Sequence, residues 1–116
     1  MITPIKINKK EIDSIIIFYF SWQLDWSNVE QTFESILKEI ADTDKKKIIF
    51  NFKDLEYLNS KSIWYIADIF LSLEKENGIM NITNCSKEVK DILDIVGLST
   101  IIPIIDTEDI AIKNLI

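Results

Sequence analysis

The chain has 116 residues, 47% of them hydrophobic, enough for one buried core and too few for two, so a single domain over 1–116 is expected. Thirteen lysines and no arginine stand against 19 Asp plus Glu, a formal net charge of -6, which argues against nucleic acid because phosphate backbones need clustered cations and favour Arg forks. Histidine is absent and Cys85 is the one cysteine, which removes the usual general base at neutral pH, the commonest metal ligand, a Ser-His-Asp triad, a zinc cluster and an intrachain disulfide.

Ile5 and Ile7 alternate with polar residues ahead of Lys9-Lys10-Glu11, and Ile15 to Phe20 then runs β-branched and aromatic. This pattern predicts two strands joined by a tight connection, the second of them central because it is apolar on both faces. Ser27-Asn28-Val29-Glu30 has the spacing of a capping box, with the Ser oxygen taking an amide and Glu30 reaching back. The helix it opens should bury Val29, Phe33, Ile36, Leu37 and Ile40. Lys45-Lys46-Lys47 suits that helix's negative end and reads either as an anionic docking patch or as a solvated turn.

A short strand, Ile48 to Phe52, follows, then a polar loop from Lys53 to Ser62 carrying two apolar anchors, Leu55 and Leu58. A second amphipathic helix should bury Ile63, Ile66, Ala67, Phe70 and Leu73 and stop at Asn77-Gly78, with Gly78 suited to a left-handed cap. Ile79 to Ile82 reads as a strand, and Ser86 caps a third helix with Val89, Ile92, Leu93 and Val96 on its apolar face, ended by Gly97. Ile101 to Ile105 can form an edge strand that tolerates Pro103, and Thr107-Glu108-Asp109 opens a terminal helix. The order β-β-α-β-α-β-α-β-α predicts an α/β fold with a mixed, mostly parallel sheet of four to five strands covered by about four helices. The longest apolar run is far too short to cross a bilayer and the amino terminus lacks a signal pattern, so a cytoplasmic protein without membrane insertion is expected.

Chemistry is sparse. Acidic pairs such as Asp91 with Asp94, or Glu74 with Glu76, sit where helices carry solvated charge; two dispersed glycines make no phosphate loop; and Cys85 reads as an inert thiol. No catalytic residue, metal site or cofactor is expected. The informative stretch is Leu58-Asn59-Ser60-Lys61-Ser62-Ile63, between strand and helix. Free amides and the positive dipole end there would accommodate a phosphoryl group on a Ser, although Ser or Asn is also the ordinary cap residue.

At this point the whole chain resembles the STAS domain family of bacterial anti-sigma factor antagonists. Three stretches carry the resemblance: Leu24-Asp25; Ile48 to Phe52 through Leu58-Asn59-Ser60; and Ser86 with Val89, Leu93, Gly97-Leu98 and Ile101-Ile102. In that family the loop before the second helix typically reads Asp-Ser-Ser/Thr-Gly, and the first Ser is phosphorylated by a partner kinase that is also the anti-sigma factor. Carried over by position, the resemblance makes Ser60 the phosphoacceptor, with Asn59 in place of the acidic residue and Lys61 and Ser62 in place of the hydroxyl residue and Gly. Asp25 matches an acidic residue near the family's phosphorylation site.

Asn59 removes a negative charge beside the acceptor, which eases a phosphate but weakens recognition by a kinase that uses that carboxylate. Lys61 brings a cation within reach of a phosphate on Ser60 or of an acidic partner. Trp64 falls where many relatives have a small residue, and with Asp68 and Leu71 it lies off the buried stripe. It is either packed against a neighbouring helix or exposed as an interface anchor. Trp22 and Trp26 flank Asp25 near the same end of the sheet.

The resemblance therefore implies a phosphoprotein regulator of transcription that works by partner switching. It binds an anti-sigma factor/serine kinase through Asp25, Asn59, Lys61, Ser62, Trp64 and Asp68, and modification of Ser60 ends the complex. The alternative is a STAS scaffold that is not phosphorylated, or an accessory subunit of a partner-swapping or lipid-transport ABC complex.

Overall fold

A computed structural model describes residues 7–116, so the expected strand residue Ile5 lies outside the described residues. Strand β1 (Ile7–Ile12) and strand β2 (Ile15–Leu24) pair antiparallel from Ile7 opposite Phe20 to Ile12 opposite Ile15. The two-residue turn uses Asp13 at φ 51, a left-handed conformation that Asp tolerates. Strand β3 (Lys47–Leu58), strand β4 (Ile79–Thr83) and strand β5 (Ile104–Ile105) then add in parallel, in the order β1-β2-β3-β4-β5. Helices α1 (Val29–Ala41), α2 (Ser60–Lys75) and α3 (Lys87–Ile95) connect them, and α4 (Glu108–Leu115) ends the chain. This is the expected mixed, mostly parallel α/β sheet with four helices.

The period of two in β2 and β3 divides the core. Ile16, Phe18 and Phe20 with Ile48, Phe50 and Phe52 face one side, where they meet α1, α2 and α3 through residues such as Phe33, Ile66 and Leu93. Ile15, Ile17 and Ile49 face the other, under Ala111 and Leu115 of α4. Both faces are dry, which is why these strands read as unbroken apolar runs. Phe20 sits at the centre of the larger cluster, edge-on to Phe52 with ring centroids 5.0 Å apart and 4.9 Å from Phe50.

Several local expectations change. The capping box does not form: α1 begins after Asn28, whose side chain makes no cap bond, while the Ser27 hydroxyl donates to Asp25 Oδ1 at 2.6 Å. Leu37 is 39% exposed, and Thr32 takes a buried place on α1 instead. The loop expected from Lys53 continues as strand to Leu58, with Leu55 and Leu58 buried as anticipated. On α2 the buried positions are Ser62, Ile66, Ile69 and Leu73, while Ile63, Ala67 and Phe70 are only partly buried. Asn77, not Gly78, takes the left-handed conformation after α2, at φ 60. Of the proposed last strand only Ile104–Ile105 pairs; Leu98–Thr100 forms a 3-10 turn and Ile102 is buried in the core. Ser86 and Thr107 cap α3 and α4 as expected, accepting from the Val89 and Ile110 amides, and Gly97 ends α3 at φ 81.

Candidate functional site

The carboxyl ends of β2 and β3 bring the starts of α1 and α2 together, because the Asn59 amide donates to the Leu24 carbonyl at 3.0 Å. Beyond Leu24 the chain folds into a turn held by its own side chains. Asp25 Oδ1 accepts from the Ser27 amide at 2.9 Å as well as from its hydroxyl, Asn28 Oδ1 accepts from the Asp25 amide at 3.2 Å, and Asn28 Nδ2 donates to the Gln23 carbonyl at 2.9 Å. Asp and Asn are suited to such local bonds. Asp25 is therefore a partly buried element of the turn that launches α1, and its carboxylate is engaged there.

The start of α2 is built with the same economy. Asn59 is the N-cap, with an extended backbone at φ -93 and ψ 176. Its Oδ1 accepts from the Ser62 amide at 2.9 Å, and the Ser62 hydroxyl donates back to the Asn59 carbonyl at 2.6 Å. These two bonds close the first turn. They also correct the expectation for Ser62, which is fully buried and offers no surface to a partner.

Ser60 is the first helical residue and is exposed. With the Ser62 amide taken by the cap, the amides of Ser60 and Lys61 stand at the positive end of the helix with no intrahelical acceptor by position. Lys61 is exposed, and its Nζ lies 3.9 Å from Glu30 Oε2 on α1, a long surface pair. Glu30 was invisible as a site residue in the sequence because nothing local links it to Lys61. One turn on, Trp64 is 66% exposed and Asp68 continues along the same side. The indole stands edge-on to Tyr65, with centroids 6.5 Å apart, and Tyr65 stacks on buried Phe33 at 5.1 Å and 5°. So Trp64 rests beside a rigid aromatic pair while most of its own surface stays in solvent. Leu71, 49% exposed, extends the stripe.

The structure thus brings Ser60, Lys61, Trp64 and Asp68 onto one outward strip of α2 and turns Asn59 and Ser62 to capping. Among the described residues no two of the three indoles are in ring contact. Trp26 is 85% exposed on the turn before α1, and Trp22 lines a separate cleft. In the lysine run, Lys45 pairs with Glu11 at 2.8 Å, Lys46 with Glu76 at 3.5 Å, and Lys47 donates to the Leu115 carbonyl, so each has a partner on a neighbouring element. The Lys45 ammonium, hydrogen-bonded to Glu11, holds that carboxyl below its ordinary value. Burial pushes the Cys85 thiol up to about 12, in keeping with an inert sulfur.

This geometry is that of an α/β domain with a mixed, mostly parallel sheet, in which a capped helix presents an exposed hydroxyl at the sheet's carboxyl edge. The STAS domain family model matches residues 6–111, and the chain belongs to that family. A curated relative from Thermotoga maritima, described as a candidate anti-sigma factor antagonist, is 24% identical over 98 residues, covering 84% of this chain and 87% of that one. A crystal structure of an anti-sigma factor antagonist candidate from the same organism superposes with a TM-score of 0.88 at 22% identity, over 93% of this chain and 92% of that one. The anti-sigma factor antagonist SpoIIAA in its unphosphorylated form gives 0.82 at 22% identity, over 95% and 96% of the two chains. Its phosphorylated form, from Bacillus, gives 0.75 at 21%, over 96% and 100%. At these identities the structural likeness establishes the shared fold. No helix among the described residues is long and apolar enough to cross a membrane.

Proposed function

We propose that this STAS domain acts as an anti-sigma factor antagonist, binding an anti-sigma factor with serine kinase activity through the outer strip of α2, with phosphorylation of Ser60 as the switch. The observation that carries the reading is the pairing of an exposed hydroxyl at the first residue of α2 with a largely exposed Trp one turn along. A solvent-facing indole of this kind is the residue type most enriched among interface hot spots. In its favour, the structural neighbour SpoIIAA exists in unphosphorylated and phosphorylated forms on this fold.

A phosphoryl group on Ser60 adds about 1.5 to 2 negative charges at neutral pH. It would draw on the free amides of the first turn and compete with Glu30 for Lys61, so the domain itself tolerates it. A partner packed over the same strip would have to desolvate it, and the complex would end. Catalysis of phosphoryl transfer belongs to the partner in this reading, and the chain contributes the acceptor oxygen.

Purified protein incubated with an anti-sigma kinase and ATP tests the site. Phosphate incorporation is expected into the wild type and not into Ser60→Ala, and equal incorporation in both would contradict the assignment. A second reading, a fixed scaffold, is favoured by the first turn of α2, which closes through Asn59 and Ser62 without the family's acidic residue. Partner binding unchanged by Ser60→Asp would select the scaffold.

A further inference from the structure

The edge of β3 past the end of β4 forms a second surface. Strand β4 pairs only with Lys47 to Asn51, so from Phe52 to Leu58 β3 has β2 on one side and no strand on the other. The start of α3 stands across from this edge, leaving an open cleft of about 620 Å3 lined by Trp22, Lys53, Asp54, Leu55, Glu56 and Glu88 among others. Asn51 Oδ1 takes the Lys53 amide at 2.9 Å; among the described residues nothing else bonds the backbone from Asp54 to Tyr57 on that side. Trp22 lies at a register break with β3 and has φ 73, unusual for an aromatic residue, and its indole is 59% exposed at the cleft.

An unpaired strand edge demands alternating donors and acceptors, which an extended polypeptide supplies. The lining sets the sign of the side chains: Asp54, Glu56 and Glu88 outnumber Lys53, and an exposed indole face attracts cations. We propose that this cleft binds an extended basic segment of a partner protein as an added strand on β3, its Lys or Arg side chains directed at Trp22 and the three carboxylates. The proposal does not rest on the Ser60 reading, since the two surfaces share no residue.

The test uses the whole isotope-labelled protein titrated with an acetylated, amidated (Lys-Val)4 peptide and followed by NMR. Saturable shifts are expected in the amides of Lys53 to Tyr57 and in the Trp22 indole N–H. Affinity should fall at least tenfold for the Glu56→Lys, Glu88→Lys double variant and stay unchanged in Ser60→Asp. (Glu-Val)4 binding as tightly would overturn the charge argument. A (Lys-Val)4 peptide N-methylated at every residue, which has no backbone N–H to donate, binding as tightly would overturn strand addition. Shifts confined to α2, no saturable shift at all, or concentration-dependent self-association through this edge would overturn the proposal as a whole. The peptide comparisons on the wild type stand even where the double variant folds poorly.

Discussion

At the scale of single residues, Gly78 carries a constraint different from the one its position suggests. A Cβ there would lie 2.7 Å from the Lys46 carbonyl oxygen and 3.0 Å from Leu73 Cδ2, so the glycine is kept by close approach of backbone, while Asn77 supplies the left-handed turn. Gly78→Ala should cost about 1 to 3 kcal/mol, as overpacking does, measured by urea unfolding. Cys85 offers a pH test. Its thiol is raised to about 12 by burial, with Lys90 opposing and Asp94 adding to the shift, so alkylation by iodoacetamide at pH 8 should run about a thousandfold slower than in the unfolded chain. The sign follows from the raised value: the neutral thiol is the folded form, so its contribution to stability is intact below the unfolded pKa and disappears as pH rises through about 12. A labelling rate that levels off near pH 9 would contradict this environment.

At the scale of elements, the cap of α2 separates stability from recognition. Asn59→Ala removes the acceptor for the Ser62 amide and should cost about 1 kcal/mol in unfolding free energy. Asn59→Asp should keep that stability, since Asp caps as well and its charge suits the helix start, while placing a carboxylate beside Ser60. Trp64→Ala should leave stability within about 0.5 kcal/mol because the indole is mostly in solvent, and yet weaken partner binding at least tenfold by titration calorimetry. The cap at Ser86, the helix stop at Gly97 and the apolar run of β2 were legible in the sequence because each depends on residues adjacent in the chain. The outer half of β3 was not: register shifts around Ser21 and Trp22 place buried Leu55 and Leu58 three residues apart, which breaks the period of two. Ser27 misled for a related reason, since its hydroxyl satisfies the turn through Asp25 rather than the helix that follows.

At the scale of the molecule, the five strands and three of the four helices among the described residues form one large core, and α4 seals the opposite face. That arrangement leaves the carboxyl edge of the sheet and the outer side of α2 as display surfaces. Family and fold could be read because motifs from the first, middle and last thirds of the chain recur in order. The composition of the candidate surface could not be fully read, because burial decides it: Ser62 and Asn59 point into the first turn, while Lys61 gains a partner, Glu30, from another helix. The lack of His and Arg now has a setting in this account, since a displayed hydroxyl beside one lysine and one indole needs no catalytic group on the same chain.

The most direct test of that account is affinity capture from the native cell with three baits, wild type, Ser60→Asp and Trp64→Ala, quantified by mass spectrometry together with the phosphorylation state of Ser60. We predict that an ATP-binding anti-sigma protein is recovered with the wild type, is lost with both variants, and leaves phosphate on Ser60. Equal recovery with all three baits, and Ser60 unmodified, would contradict it.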